Sequence, residues 1–179
     1  PLFENEHANH ILDVTRCPVQ PQLLRLQRHA EEISRGIANQ FQVAGLFCVE
    51  FFVDAGGDLL INEIAPRPHN SGHLTIEAFD CCQFEQQVRA VCNLPLARPQ
   101  QLRPAAMSNL LGEVWQNGEP RWSQVLAVPY THLHLYGKSQ PRVGRKMGHL
   151  TVLDVDATAA AAKARQLRGE LSGVPDANN

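Results

Sequence analysis

Two apolar segments on either side of a short polar turn constrain the fold of this chain more than any other feature. Leu46 to Asp54 is rich in Phe and Val, Ala55 to Asp58 reads AGGD, and Leu59 to Ile64 is again apolar. Apolar segments of this length that flank a Gly-rich turn predict two antiparallel strands joined as a β-hairpin. Any fold for this chain must therefore include antiparallel sheet.

The predicted hairpin places two carboxylates opposite each other. If Asp54 pairs with Leu59 across the turn, Glu50 lies directly opposite Glu63 on one sheet face, with the Cβ atoms about 5 Å apart. Opposed like charges are destabilising, so we expect a protonated carboxyl, a bound cation or a different register. We favour a divalent cation such as Mg²⁺, which takes oxygen ligands and shares them with substrate phosphates. Asn62 is adjacent, although strict alternation points it to the other face.

Two other interpretations of the glutamate pair stay open. The first is ordinary exposed charge on a solvated strand edge. The second is the acid and nucleophile pair of a retaining glycosidase, whose carboxyl groups are about 5–5.5 Å apart. Sugar sites generally contain aromatic platforms, however, and aromatic residues make up only 6% of this chain.

The segment 65–73, APRPHNSGH, follows the second strand directly and predicts a shaped loop. Arg67 offers a rigid donor fork that suits phosphate or carboxylate, and the prolines on both sides restrict its backbone. Asn70 and Ser71 add donors, and Gly72 permits close backbone approach. So many polar donors beside two acidic residues favour a functional loop over a merely structural one.

A second group of donors lies nearer the C-terminus, interrupted by three glycines. Its members are Lys138, Arg142, Arg145, Lys146 and His149. Glycines interleaved with cations fit a phosphate-binding turn, and a solvated basic loop is the alternative. Nucleic acid is disfavoured as a partner, because the net charge is −2 and no aromatic residues alternate with the cations.

The remaining patterns predict an α+β fold in two parts. Helices are predicted over 21–42, about 75–92 and 157–171, with a short helical turn over 122–126. Further strands are predicted over 106–113, 132–136 and about 148–154. Residues 97–104 have the composition of a linker, so we expect a first domain over 1–97 and a second over 98–179. We expect the final PDANN to be frayed.

The cysteines and histidines give weaker indications. Five cysteines, none in a C-x-x-C pair, argue against a disulfide framework and predict reduced thiols in a cytosolic protein. His132 and His134 share one face of a predicted strand, so a two-histidine metal site there is an alternative to ordinary polar positions. No apolar segment approaches the ~20 residues of a membrane span.

With these motifs in view, the chain resembles a known family. The string LLINEIAPRPHNSGHLTIEAFDCCQFEQQVRAVCNLPL is similar to the second half of ATP-grasp enzymes, most closely the 5-(carboxyamino)imidazole ribonucleotide synthases of purine biosynthesis. PLFENEHANHIL and HLHLYGKSQPRVGRKMGHLTVLD resemble that family's segment before the long helix and its small C-terminal domain. The resemblance implies the C-terminal half of an ATP-grasp domain, an antiparallel sheet with helices, followed by a small mixed α/β domain.

The resemblance also implies a reaction. ATP phosphorylates bicarbonate to carboxyphosphate, and the amine of 5-aminoimidazole ribonucleotide is then carboxylated with release of ADP and phosphate. ATP and Mg²⁺ are the implied cofactors, with Glu50 and Glu63 as metal ligands and Asn62 and Glu63 as the pair that contacts the nucleotide.

The remaining site residues that the resemblance implies fall into two groups. Arg67, His69, Asn70 and Ser71 match the loop that faces the bicarbonate-derived group and the ribonucleotide, with Arg67 and Asn70 expected to be catalytic. Lys138, Arg145 and Lys146 match the basic cluster expected to hold the ribonucleotide phosphate.

Other expectations concern the extent and setting of the chain. It begins at Pro1 and carries no counterpart of the family's N-terminal domain or of the first half of the ATP-grasp fold, so we expect no useful ATP turnover from these residues alone. We also expect a cytoplasmic homodimer as the full-length enzyme, no membrane partner, and a functional link to the mutase that consumes its product.

Two alternatives to this function remain. One is the formate-dependent phosphoribosylglycinamide formyltransferase, whose similar PRPH loop we expect to continue as Asp-Thr-Gly where this chain has Asn70-Ser71-Gly72. The other is a truncated, non-catalytic interaction domain.

Overall fold

The computed structural model describes residues 1–172, which form two compact units. The first unit comprises Pro1–Leu2 and Val19–Leu102, and the second comprises Phe3–Pro18 and the described residues from Arg103 onward. Residues 3–18 therefore pack with the C-terminal part of the chain, whereas the sequence-based division places them in the first domain. The sequence-based division into domains over 1–97 and 98–179 stays a prediction. The predicted fraying of 175–179 lies outside the described residues.

The α+β class is confirmed, and all the strand pairs in the described residues are antiparallel. The strands are β1 (Glu4–Ala8), β2 (Ile11–Cys17), β3 (Cys48–Val53), β4 (Leu59–Ala65), β5 (Ala105–Leu111), β6 (Thr131–Leu135) and β7 (Lys146–Leu153). The helices are α1 (Gln27–Phe41), α2 (Thr75–Ala78), α3 (Gln83–Val91), α4 (Trp122–Leu126) and α5 (Ala157–Leu171). Short 3₁₀ turns cover Pro21–Leu26, Asn70–Gly72 and Gly112–Trp115.

The second unit is a five-stranded sheet with the order β1-β2-β5-β7-β6. Helix α5, which lies where the sequence predicts it, contributes buried alanines and leucines to the core of this unit. That core comprises Leu110, Val114, Val125, Leu150, Val152, Ala164, Leu167 and Leu171. Small side chains on α5 allow it to approach the sheet closely, so that β5 and β7 are buried along almost their whole length.

The β1–β2 hairpin is the element that the sequence did not predict. Its connection is the pair Asn9 and His10, and both residues have positive φ, at 50° and 63°. Ala8 pairs with Ile11 across this connection, which is the geometry of a two-residue hairpin turn. An Asn followed by a residue other than Gly is a weak sequence indication, which explains the omission.

In the first unit, the single helix predicted over 75–92 is wrong. The structure has two helices, α2 and α3, separated by an extended residue at Phe79. The break means that the apolar side chains of this segment do not share one continuous buried helix face. Phe79 is buried, but Val88 and Val91 are 54% and 66% exposed.

Candidate functional site

The β3–β4 hairpin places Glu50 opposite Glu63, as predicted, but the register that produces this opposition differs from the predicted one. Val53 pairs with Leu59, so the predicted pairing of Asp54 with Leu59 is wrong. The register shifts by one residue between Glu50 and Phe51, because β4 carries an extra residue there. This β-bulge restores the opposition of the two glutamates.

The extra residue of the bulge is Asn62. Phe51 pairs with Ile61 and Glu50 pairs with Glu63, so Asn62 lies between two consecutive pairs. Without the bulge, the register near the turn would bring Asn62, not Glu63, opposite Glu50. The argument from strict alternation, which points Asn62 to the other face, does not hold at a bulge, because the bulge resets the alternation.

Glu50 and Glu63 form a cluster with His69, which we call the carboxylate–imidazole cluster. One potential ligand atom from each of the three residues lies within 4.8 Å of the others. His69 Nδ1 is 3.6 Å from Glu50 Oε1, and both side chains are 12% exposed. Within residues 1–172, this is the only group of three or more His, Cys, Asp or Glu side chains with such spacing.

The cluster fits a hard divalent cation. Two carboxylates that lie directly opposite each other repel unless a positive charge or a proton lies between them. Carboxylate oxygens are the ligands that Mg²⁺ prefers, and it binds with one or two of them while keeping waters and substrate phosphates in its shell. Glu63 is exposed, so the cluster is open to solvent on one side. Glu50 and Glu63 could therefore hold such an ion together with an incoming phosphate.

The loop after β4 contains a 3₁₀ turn over Asn70–Gly72, which shapes the second half of the predicted loop. The Gly72 amide donates to His69 O at 3.0 Å, and the His73 amide donates to Asn70 O at 3.1 Å. This turn brings the buried Ser71 hydroxyl to 2.9 Å from His69 Nδ1. The same hydroxyl is 3.9 Å from Cys48 Sγ.

Cys48 is an inert neighbour of the cluster. Burial raises the pKa of its thiol to about 11, and the nearby Glu50 and Glu63 charges act in the same direction. A thiol with so high a pKa is a poor nucleophile at neutral pH. The structure thus offers no activated cysteine at the cluster.

Arg67 and Asn70 have different environments. Arg67 is exposed, and its Nη1 donates to Pro68 O at 3.0 Å, which folds the guanidinium back over its own loop. The Arg67 amide donates to Ala65 O at 2.9 Å and so makes a tight turn directly after β4. Asn70 is half-buried at the start of the 3₁₀ turn.

The predicted basic cluster lies in the second unit, in the loop between β6 and β7 and at the first residue of β7. Lys138 is exposed, its Nζ donates to Lys146 O, and it lies 5.3 Å from the centroid of the Tyr136 ring. Arg145 Nη1 donates to Gln140 O at 2.9 Å. The loop is thus ordered by its own cations.

Gly112 lets this loop approach the end of β5. A Cβ at position 112 would lie 2.1 Å from the backbone oxygen of Arg142, so only glycine fits there. The Gly112 amide donates to Arg145 O at 2.9 Å, and the Gly144 amide donates to Glu113 Oε1 at 2.9 Å. These contacts hold the basic loop in one shape.

The histidines of β6 and β7 lie on one face of the sheet. His134 stacks on His149 with ring centroids 4.5 Å apart and planes 12° from parallel. Tyr136 Oη lies 3.0 Å from His149 Nδ1. The His134 ring therefore packs on the His149 ring of the adjacent strand. This contact gives no support to the alternative of a metal site formed by His132 and His134.

Sequence reasoning missed Gln83, whose side-chain amide contacts the loop at His69 and His73. A glutamine at the start of a helix carries no distinctive sequence pattern, and only the loop's folded shape brings its amide to those residues.

Comparisons with known proteins match the two ends of the chain to different families. Residues 1–84 match the ATP-grasp domain family, and residues 105–163 match the phosphoribosylaminoimidazole carboxylase C-terminal domain family. The N5-carboxyaminoimidazole ribonucleotide synthase of Staphylococcus saprophyticus is 44% identical over 159 residues, which are 87% of this chain and 41% of that protein.

Solved structures give a similar result. The crystal structure of the Staphylococcus aureus N5-carboxyaminoimidazole synthetase complexed with ADP matches 97% of this chain and 46% of its own, with a TM-score of 0.84 and 40% identity. The Aspergillus clavatus synthase in complex with ADP and 5-aminoimidazole ribonucleotide matches 94% of this chain and 46% of its own, with a TM-score of 0.83 and 29% identity.

This chain therefore spans less than half the length of these relatives, from 41% to 46%. None of the helices in residues 1–172 is long and apolar enough to cross a lipid bilayer.

Proposed function

Because its residues 1–84 belong to the ATP-grasp family and its residues 105–163 to the phosphoribosylaminoimidazole carboxylase C-terminal family, we propose that this chain is part of an ATP-dependent carboxylating ligase. The reaction converts 5-aminoimidazole ribonucleotide, bicarbonate and ATP to 5-(carboxyamino)imidazole ribonucleotide, ADP and phosphate through carboxyphosphate. The observation that carries the proposal is the Glu50–Glu63 opposition beside the PRPHNSGH loop in a segment 44% identical to such a synthase.

Glu50 and Glu63 hold Mg²⁺ in this proposal, with Asn62 and Glu63 turned toward the nucleotide. When bound, the metal supplies charge neutralisation for the ATP phosphates, which is the main requirement of phosphoryl transfer. The bulge at Asn62 supports this role, because it brings the Glu63 carboxylate opposite the Glu50 carboxylate. Asn62 itself then has no paired residue on β3.

Arg67, His69, Asn70 and Ser71 bind the bicarbonate-derived group and the ribonucleotide. The exposed Arg67 guanidinium can donate two parallel hydrogen bonds to a carboxylate or phosphate. Asn70 presents an amide donor in the same loop, and we assign these two residues the catalytic role of stabilising charge that develops on the carboxyl group. Ser71 orients the His69 imidazole through their 2.9 Å contact.

Lys138, Arg145 and Lys146 bind the ribonucleotide phosphate. The hydrogen bonds within the loop between β6 and β7, and its close packing on Gly112, support a preformed anion site. A rigid basic loop loses little conformational entropy when it binds a phosphate, which favours affinity.

We also propose a cytoplasmic location, a homodimer for the full-length enzyme and a functional link to the mutase that consumes the product. None of the five cysteines, all of which lie in the described part of the chain, is in a disulfide, which supports a reducing compartment. The dimer and the mutase link rest on the likeness to this group of synthases.

A chimera tests the function. The matched segment of the Staphylococcus aureus synthase is replaced by this chain, and ADP release is measured with 5-aminoimidazole ribonucleotide and bicarbonate. We expect turnover that depends on both substrates. Glu63→Gln should lower the rate more than about 100-fold, since even residues that only contact a metal ligand cost about 10–100-fold.

Asp58→Asn is the matched control, because Asp58 lies in the turn of the same hairpin and outside the cluster. It should leave the rate unchanged. A folded chimera without ADP release, or a Glu63→Gln variant as fast as its parent, would contradict the proposed function.

A further inference from the structure

Gln83, the first residue of α3, has a buried side chain that clamps the PRPHNSGH loop. Its Oε1 accepts a hydrogen bond from the His69 amide at 2.9 Å, and its Nε2 donates to the His69 carbonyl at 2.8 Å. The amide thus pairs with both backbone groups of one residue of the carboxylate–imidazole cluster. Nε2 also lies 2.8 Å from His73 Nδ1.

These backbone partners determine the orientation of the Gln83 side-chain amide. A backbone N–H can only donate and a carbonyl can only accept, so the atom that faces the His69 N–H is oxygen and the atom that faces the His69 carbonyl is nitrogen. The nitrogen has only donors, so His73 Nδ1 must accept from it. In the neutral His73 ring the proton therefore lies on Nε2.

The clamp is supported on its other sides. Thr75 Oγ1 accepts from the backbone N–H of Gln83 at 3.0 Å and donates to the Gly72 carbonyl at 2.6 Å. A Cβ at Gly72 would lie 2.5 Å from Gln83 Oε1, so only glycine leaves room for the amide. The His73 ring stacks on Phe84 with centroids 5.5 Å apart. Hydrogen bonds and a ring stack therefore join the loop to the start of α3.

We propose that Gln83 is a positioning residue, which holds the His69 backbone so that its imidazole lies beside Glu50 and Glu63 and which selects the Nε2–H tautomer of His73. The proposal rests on the proposed function, since it gives the carboxylate–imidazole cluster a ligand to bind. Its physical basis is that a buried amide with all of its donors engaged has one favourable arrangement. Residues that orient a metal site in this way contribute to its affinity without touching the ion.

Mn²⁺ serves as the paramagnetic probe for the cluster in this chain. Binding is followed by the Mn²⁺-induced broadening of backbone amide signals in NMR spectra. Gln83→Met retains the length of the side chain and removes all three contacts, so we expect Mn²⁺ affinity to fall about 10–100-fold. Circular dichroism checks that the variant is folded.

Gln86→Met is the matched control on the same helix. Gln86 clamps another backbone residue in the same way, since Nε2 donates to Ala97 O at 2.9 Å and Oε1 accepts from Ala97 N at 3.0 Å. Its loss removes an equivalent pair of hydrogen bonds away from the cluster. We expect this variant to bind Mn²⁺ as the parent chain does.

Gln83→Glu gives a second readout that does not depend on metal. A carboxylate can only accept, so His73 Nδ1 must become the donor and its ¹⁵N shifts should change from the Nε2–H to the Nδ1–H pattern at about pH 8, where imidazole is neutral. Gln86→Glu, the equivalent change at the control position, should leave the His73 shifts unchanged.

The outcomes separate this proposal from the function on which it rests. If Glu63→Gln abolishes the Mn²⁺ broadening but Gln83→Met does not weaken it, the positioning role is wrong and the cation site remains. If Glu63→Gln binds Mn²⁺ as tightly as the parent, the cation site itself is wrong. A parent chain whose His73 carries its proton on Nδ1 overturns the role of Gln83 directly.

Discussion

The β3–β4 hairpin and the β5–β7 pair both consist of apolar strands, but they differ in how much of that apolar surface is covered. In the second unit, Leu110, Leu150 and Val152 are fully buried. In the first unit, Phe52 and Leu60 of the hairpin are 55% and 52% exposed. The hydrophobic content of a strand therefore does not decide its burial. The difference lies in whether a second layer packs on it, as α5 packs on β5 and β7.

The two regions also differ in where their charges lie. The exposed hairpin carries the opposed glutamates, whereas the second unit has ion pairs that join its sheet to its helix. Arg168 of α5 pairs with Asp13, and Arg165 pairs with Glu6. Charge thus contributes to assembly in the second unit, while in the hairpin it lies in the carboxylate–imidazole cluster.

Truncation of one leucine in each region gives the largest effect expected from this comparison. Leu150→Ala should lower the free energy of unfolding of the second unit by about 2–5 kcal/mol, since it leaves a cavity in a closed core. The readout is tryptophan fluorescence during urea unfolding. Both tryptophans of the chain, Trp115 and Trp122, pack against that core and so report on the second unit.

Leu60→Ala is the matched change in the hairpin. It should alter the free energy of unfolding of the first unit, followed in urea by circular dichroism of the whole chain, by no more than about 0.5 kcal/mol, as is usual for exposed positions. Equal losses from Leu150→Ala and Leu60→Ala would show that the hairpin is as well covered as the sheet, and the comparison would fail.

The fold was predictable where one element carries its own periodicity. Helix α5 matches its predicted bounds, because buried alanines and leucines recur at helical spacing between clear ends. The β1–β2 hairpin was not predicted, because its connection lacks a typical turn sequence. In addition, β2 pairs with β5, which lies about ninety residues away, and no local pattern indicates such a long-range pairing. The continuous helix over 75–92 was predicted wrongly because helical spacing persists across the break at Phe79.

The site was predictable to a similar degree. The opposition of Glu50 and Glu63 was predicted, but from a pairing of Asp54 with Leu59 that is wrong. The bulge at Asn62 that produces the opposition was not predicted, because a bulge depends on the whole pairing and not on one residue type. Gln83 could not be found, since its role depends on the folded shape of the loop. The roles of Arg67 and Asn70 stay predictions.

Alkaline pH offers a second, smaller test of the difference between the units. Burial raises the pKa of Cys17 in the second unit from 9.0 to about 11. The unfolded chain releases this proton near pH 9.0 whereas the folded chain holds it until about pH 11, so raising the pH across that window lowers the free energy of unfolding. We expect a loss on the order of 1–3 kcal/mol, at about 1.4 kcal/mol for each unit of pKa.

The pH effect is measured as the difference between the parent chain and Cys17→Ala. Urea unfolding is followed by tryptophan fluorescence below and above the window, and other groups that titrate there cancel in the difference. Cys48→Ala is the control, because Cys48 has a pKa of about 11 as well but lies in the first unit. A Cys48→Ala variant that removes the same pH dependence would show that the tryptophans report on both units together.

The smallest expected effect concerns how the long helices begin. Asp156 caps α5, and its side chain accepts from the amides of Thr158 and Ala159 at 2.8 Å each. Helix α1 begins without a side-chain cap, directly after the Pro21–Leu26 turn. Asp156→Ala should therefore lower the free energy of unfolding of the second unit by about 1 kcal/mol, and Asp156→Asn, which still caps, should change it little. Equal losses from the two variants in urea unfolding would mean that the negative charge of Asp156 stabilises α5 more than its hydrogen bonds do. The side-chain cap would then not account for the stability of the start of α5.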